Sequence, residues 1–114
     1  MSVHAILKTA IWYQRPVEML TAGRLRRVCP HALGHEGYRL KVLVFQFFGE
    51  SASGLPSGGA WRSFFLDDIA SAKIIDGPWR SGRNPRAKIE TSFDHVDWEI
   101  RPRAAASRRT RRLP

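Results

Sequence analysis

The stretch that most constrains this chain is residues 38–48, Tyr-Arg-Leu-Lys-Val-Leu-Val-Phe-Gln-Phe-Phe. Its first half alternates: Arg39 and Lys41 fall on one parity and Tyr38, Leu40 and Val42 on the other, as in a strand with one wet face. From Leu43 onward both parities turn apolar, because Leu43, Phe45 and Phe47 now oppose Val44 and Phe48. Such a strand must be covered on both faces, as a central barrel strand or a strand under a helix would be. Gln46 then falls among apolar neighbours and needs a hydrogen-bond partner.

The remaining segments supply that cover. Ser2 is a suitable N-cap, and Val3, Ile6, Leu7, Ala10 and Ile11 recur at helical spacing until Pro16 disfavours helix at Arg15, which predicts a helix over residues 3–14. Residues 17–21 and 24–29, separated by Ala22-Gly23, read as a hairpin, with Pro30 either ending the second strand or sitting at its edge. Residues 49–60 are rich in Gly and Ser and read as a long mobile loop. Residues 61–66 alternate as a strand, Asp67-Asp68 makes a turn, and residues 72–75 give a fifth strand before Gly77-Pro78. Residues 79–92 read as irregular, and residues 95–100 alternate Val96, Trp98 and Ile100 against Asp97 and Glu99, as in a half-exposed final strand.

A chain of 114 residues has room for one core, so residues 1–100 are expected to form a single domain. The longest apolar run, Val42–Phe45, is far short of a membrane span, and the first residues lack signal-peptide character. A lone cysteine, Cys29, excludes an internal disulfide and fits a reducing compartment, so the cytoplasm is the expected location. The formal charge is +9, but six arginines lie in residues 101–114, which carry no acid and read as a disordered tail. Residues 1–100 keep thirteen cations against ten acids, a mild +3. Fifteen of the nineteen cations are arginine, the residue suited to bidentate phosphate or carboxylate contacts.

Three motifs then fall in a recognisable order. Arg26-Arg27-Val28-Cys29-Pro30-His31-Ala32-Leu33, the strand from Tyr38, and Trp61-Arg62-Ser63-Phe64-Phe65-Leu66-Asp67-Asp68-Ile69 together resemble the core of WYL-type domains. Small stand-alone relatives of that domain also look like this chain at residues 45–55 and at Asp76-Gly77-Pro78-Trp79. The resemblance runs from about Ala5 to Ile100 and implies a small Sm-like, SH3-type β-barrel of five to six strands behind an N-terminal helix. It also implies an effector-binding role, with nucleotides or single-stranded nucleic acid among the ligands of similar domains. The triad that names the family is Tyr38-Arg39-Leu40 here, and the residues before Val17 leave room for one helix, not a helix-turn-helix.

These readings select Arg26, His31, Arg39 and Arg62 as a ligand-binding set. Arg26 shares a parity with Val28, and Arg62 with Phe64 and Leu66, so each is a cation on a partly apolar surface that can hold a phosphate while stacking on a base. Arg39 follows Tyr38 at a strand start, and His31 follows Pro30 where an imidazole can donate to a ligand. Cys29, His31 and His35 raise a metal or enzyme reading, but the second pair of ligands that would make the pattern specific is missing. The Gly-rich loop lacks the Gly-Lys-Ser/Thr of a Walker motif. The expectation is a non-enzymatic module that needs no cofactor and binds a nucleotide or single-stranded nucleic acid. The alternative is an accessory subunit or homo-oligomer that docks through exposed strand edges.

Overall fold

The computed structural model describes residues 1–49 and 54–100. Helix α1 (Val3–Tyr13) begins where Ser2 Oγ accepts a hydrogen bond from Ala5 N at 3.1 Å, and it ends at Gln14, whose left-handed backbone turns the chain toward Pro16. Leu7, Ala10 and Ile11, one helical face, are fully buried. Loss of the cap tests this start: Ser2→Ala should lower stability by about 1 kcal/mol, read as a shifted urea midpoint at unchanged slope.

Six strands follow: β1 (Val17–Thr21), β2 (Arg24–Glu36), β3 (Arg39–Gly49), β4 (Ala60–Phe65), β5 (Ile69–Ile74) and β6 (His95–Glu99). They form one antiparallel sheet in the order β4-β3-β2-β1-β5, with β6 paired to β2. Among the described residues no pairing joins β4 to β5, so their mostly β architecture is an open, six-stranded sheet behind an N-terminal helix. A short 3-10 turn, Leu66–Asp68, carries the chain from β4 into β5 and contains the expected Asp67-Asp68 turn.

Several boundaries differ from the sequence expectation. β2 does not stop at Pro30 but continues to Glu36. Its β1 partner ends opposite Val28 and its β6 partner begins opposite Ala32, so Pro30 sits in the gap where no donor is required. Tyr38 is not in β3; it lies in the two-residue turn with Gly37, whose φ of 62° suits glycine, and it is almost fully exposed. Leu66 belongs to the 3-10 turn, and β5 starts at Ile69, earlier than expected. The stretch read as irregular contains a second helix, α2 (Pro85–Ser92), with proline in its first turn. Ile89 is its one buried residue, and a single anchor leaves no period to read. Of the loop expected over residues 49–60, Gly49 closes β3, Ala60 opens β4, and residues 54–59 form no helix or strand. Residues 50–53 and the Arg-rich 101–114 lie outside the described residues.

β3 is covered on both faces. On the inner face Val42 and Val44 pack with Val17, Met19, Val28, Leu33 and Ile69 beneath Leu7, Ala10 and Ile11 of α1. On the outer face Leu43 and Ala32 meet Ile89 of α2, with Trp61, Phe93, Val96 and Ile100 around them. Among the described residues no helix is long and apolar enough to cross a membrane.

Candidate anion-binding surface

Alternation along β2 puts Arg24 and Arg26 on the side of Val28, and Met19, the residue paired with Arg26, belongs to the inner core. On β4, Arg62 pairs with Val44 and Phe64 with Val42, both inner-core residues. The two expected strand arginines therefore share the inner face, at the end of the sheet away from the β2–β3 hairpin turn. Arg26 is only 6% exposed. Its guanidinium lies 4.9 Å from the centre of the Phe64 ring, and Nη1 donates to Gln46 Oε1 at 3.2 Å. That bond supplies the partner Gln46 needs, and Gln46 Nε2 donates in turn to Phe48 O at 3.4 Å.

The electrostatics of this corner are one-sided. Burial, then the charges of Arg24 and Arg62, all push the Arg26 guanidinium below its ordinary pKa. No carboxylate of the described residues lies within ion-pair distance of Arg26, and its Nε is buried without a hydrogen-bond partner among them. Arg62 Nη2 donates to Gly54 O at 3.2 Å, which ties β4 to the loop before it. Gly49 closes the corner from the β3 side: its φ is 108°, and a Cβ there would lie 2.3 Å from Leu25 O.

His31 and Arg39 are not part of that corner. At odd spacing from Arg26 and Val28 along β2, His31 lies on the outer face, where it is fully buried. It lies between Trp61 and Trp79, each ring centre 4.8 Å away. Its Nδ1 is 2.8 Å from Cys29 O and its Nε2 is 2.9 Å from Ser81 O, so it is spent on structure. Arg39 sits on the outer parity near the hairpin end, 3.7 Å from the centre of Phe65 and 4.0 Å from Asp68 Oδ2. The expected set of four thus divides into an inner pair and two separate outer residues. Arg24, two positions before Arg26, was missed although strand parity alone places it beside that residue.

No family model, curated protein or solved structure matches this chain.

The residues behind the metal and enzyme readings have other partners. Among the described residues no group of three His, Cys, Asp or Glu side chains is placed to hold a metal ion. Cys29 is fully buried, its Sγ accepts from Arg80 N at 3.3 Å, and burial pushes its thiol pKa up, opposite to the shift that activates a nucleophile. His35 Nδ1 lies 2.7 Å from Asp97 Oδ2 across the β2–β6 pair, and His95 Nε2 lies 3.3 Å from the other oxygen. Asp94 Oδ2 accepts from Gly37 N at 2.7 Å, fastening the hairpin turn. Of the tryptophans, Trp61 and Trp79 line the outer core around His31, while Trp12 of α1 and Trp98 of β6 stack at 5.5 Å.

Proposed function

We propose that this chain is a WYL-like, non-enzymatic binding module that recognises an anionic ligand, a nucleotide or a single-stranded nucleic acid, at the inner-face corner of Arg24, Arg26 and Arg62. The observation that carries the reading is Arg26: a guanidinium held almost out of water, beside two further cations, with an unused donor and no carboxylate among the described residues. A buried charge in such surroundings is costly, and a bound phosphate would offset that cost while the Phe64 ring offers an apolar neighbour. The strand order and the 3-10 turn joining β4 to β5 support the finer reading of the open sheet as a curled, Sm-like barrel.

Fluorescence anisotropy with a labelled single-stranded oligonucleotide tests it. Affinity should fall with added salt along a log-log slope of about −0.7 for each phosphate contacted. Arg26→Ala/Arg62→Ala should weaken binding at least ~30-fold, given roughly 1 kcal/mol or more for each charged hydrogen-bonding group removed. Absence of binding at low salt, or equal binding by a double variant whose circular dichroism is native, overturns the reading. A second reading, docking of a partner strand, is favoured by β4 and β5, each of which pairs on one side only among the described residues. Isolation from the host with a stoichiometric protein and no nucleic acid would select it.

A further inference from the structure

A separate hollow opens on the outer face, on the other side of β4 from the arginine corner. It measures about 560 Å³, within the roughly 300–1,000 Å³ of small-molecule sites, and its floor is the edge-to-face pair Phe45 and Trp61 at 5.4 Å. One wall is the loop Ser57-Gly58-Gly59-Ala60, and the other is the segment bearing Arg80, Gly82 and Arg83. Both walls come close to the floor only because they are glycine there. A Cβ on Gly82 would lie 2.6 Å from the Trp61 ring and 2.8 Å from Phe45, and one on Gly59 would lie 2.8 Å from Phe45.

The segment with the two arginines has no regular structure, yet it is held at three points. Arg80 N donates to Cys29 Sγ at 3.3 Å, Ser81 O lies 2.9 Å from His31 Nε2, and Trp61 Nε1 donates to Arg83 O at 2.9 Å. Backbone and buried side chains are thereby fixed while both guanidinium arms are left at the rim. Among the described residues neither arm meets a carboxylate; Arg80 rests 4.0 Å from the centre of Phe47. A rim fixed in advance loses little freedom when a ligand binds.

We infer that this hollow is a second site, for a small molecule that combines a heteroaromatic ring with a phosphate, of the mononucleotide class. The ring would pack on Trp61 and Phe45, and Arg80 and Arg83 would take the phosphate. The inference goes beyond the inner-face reading and uses none of its residues. Isothermal titration calorimetry of the full chain with AMP, CMP, GMP and UMP, with the matching nucleosides and with inorganic phosphate, tests it. At least one mononucleotide should saturate below ~1 mM and bind at least ~10-fold more tightly than its nucleoside or phosphate alone, because each half supplies about 1.4 kcal/mol or more. Arg80→Ala/Arg83→Ala, two exposed side chains, should weaken that binding ~10-fold or more, and Arg26→Ala/Arg62→Ala should leave it unchanged.

Failure of all four mononucleotides to bind overturns the inference, and so does unchanged binding in Arg80→Ala/Arg83→Ala. Mononucleotide binding lost only in Arg26→Ala/Arg62→Ala also overturns it, while leaving the inner-face reading intact. Oligonucleotide binding that is absent while mononucleotide binding survives removes the inner-face reading alone.

Discussion

Gly34→Ala is expected to destabilise the protein by about 3 kcal/mol and to lower its melting temperature by ~15 °C. Gly34 lies in β2 between β3 on one edge and β6 on the other, paired with Lys41 and Val96. A Cβ there would sit 2.3 Å from His95 O and 2.6 Å from the Phe93 ring. The first contact is backbone and cannot swing away, so β6 or α2 must shift. Gly34 is not in the positive-φ region, so the cost is steric and not conformational. Gly23→Ala is the contrasting control: its φ is 71° but a Cβ would meet nothing within 4 Å, and its cost should be nearer 1 kcal/mol. Thermal melts check both, and hydrogen exchange of β6 and α2 should accelerate in Gly34→Ala alone. A Gly34→Ala melting temperature within a few degrees of the parent would contradict the close approach.

The second large effect is at His31. His31→Ala should cost about 3 kcal/mol, because it empties the space between two tryptophans and removes the single N–H that the neutral ring offers to Cys29 O or Ser81 O. It should also release the Arg80–Arg83 segment, seen as faster exchange at the Arg80 amide. The histidine has a pH signature as well. Burial lowers its pKa from the ordinary 6.5, and the two nearby carbonyls offset this only in part. The unfolded chain therefore binds the proton more readily than the folded one, so stability rises with pH wherever they differ. The contribution is fully present above about pH 6.5 and is lost as pH falls below it. Urea midpoints from pH 7.5 down to pH 5 should thus fall more steeply in the parent than in His31→Gln, and parallel curves would refute the assignment.

The candidate surface was only partly legible. Parity along β2 and β4 put Arg26 beside Val28 and Arg62 beside Phe64, and both reach the inner face. The same parity sets His31, at odd spacing from Arg26 and Val28, on the opposite face, and the irregular pairing between Pro30 and Ala32 breaks the alternation only after it, so that Ala32 also faces outward and Leu33 inward. No local pattern announces such a shift; it arises from how β3 and β6 meet β2. Arg80 and Arg83 were invisible for another reason. They lie where neither period is present, and contacts to Cys29, His31 and Trp61, distant in sequence, hold them in place. Helix α2 escaped notice because Ile89 alone is buried, and one anchor has no periodicity.

What the sequence decided by itself is whatever a few adjacent residues can specify. Ser2 and the spacing of Leu7, Ala10 and Ile11 set the first helix, Ala22-Gly23 sets the first hairpin, and apolar residues on both parities make β3 a covered strand. Steric limits, capping bonds and side-chain period act over one or two turns of chain, and so can be read locally. The tertiary structure decided which edge each strand pairs with, where β2 changes partner around Pro30, and which arginines meet. Those outcomes depend on the mutual burial of residues far apart in the chain, and no short window contains both sides of such a contact.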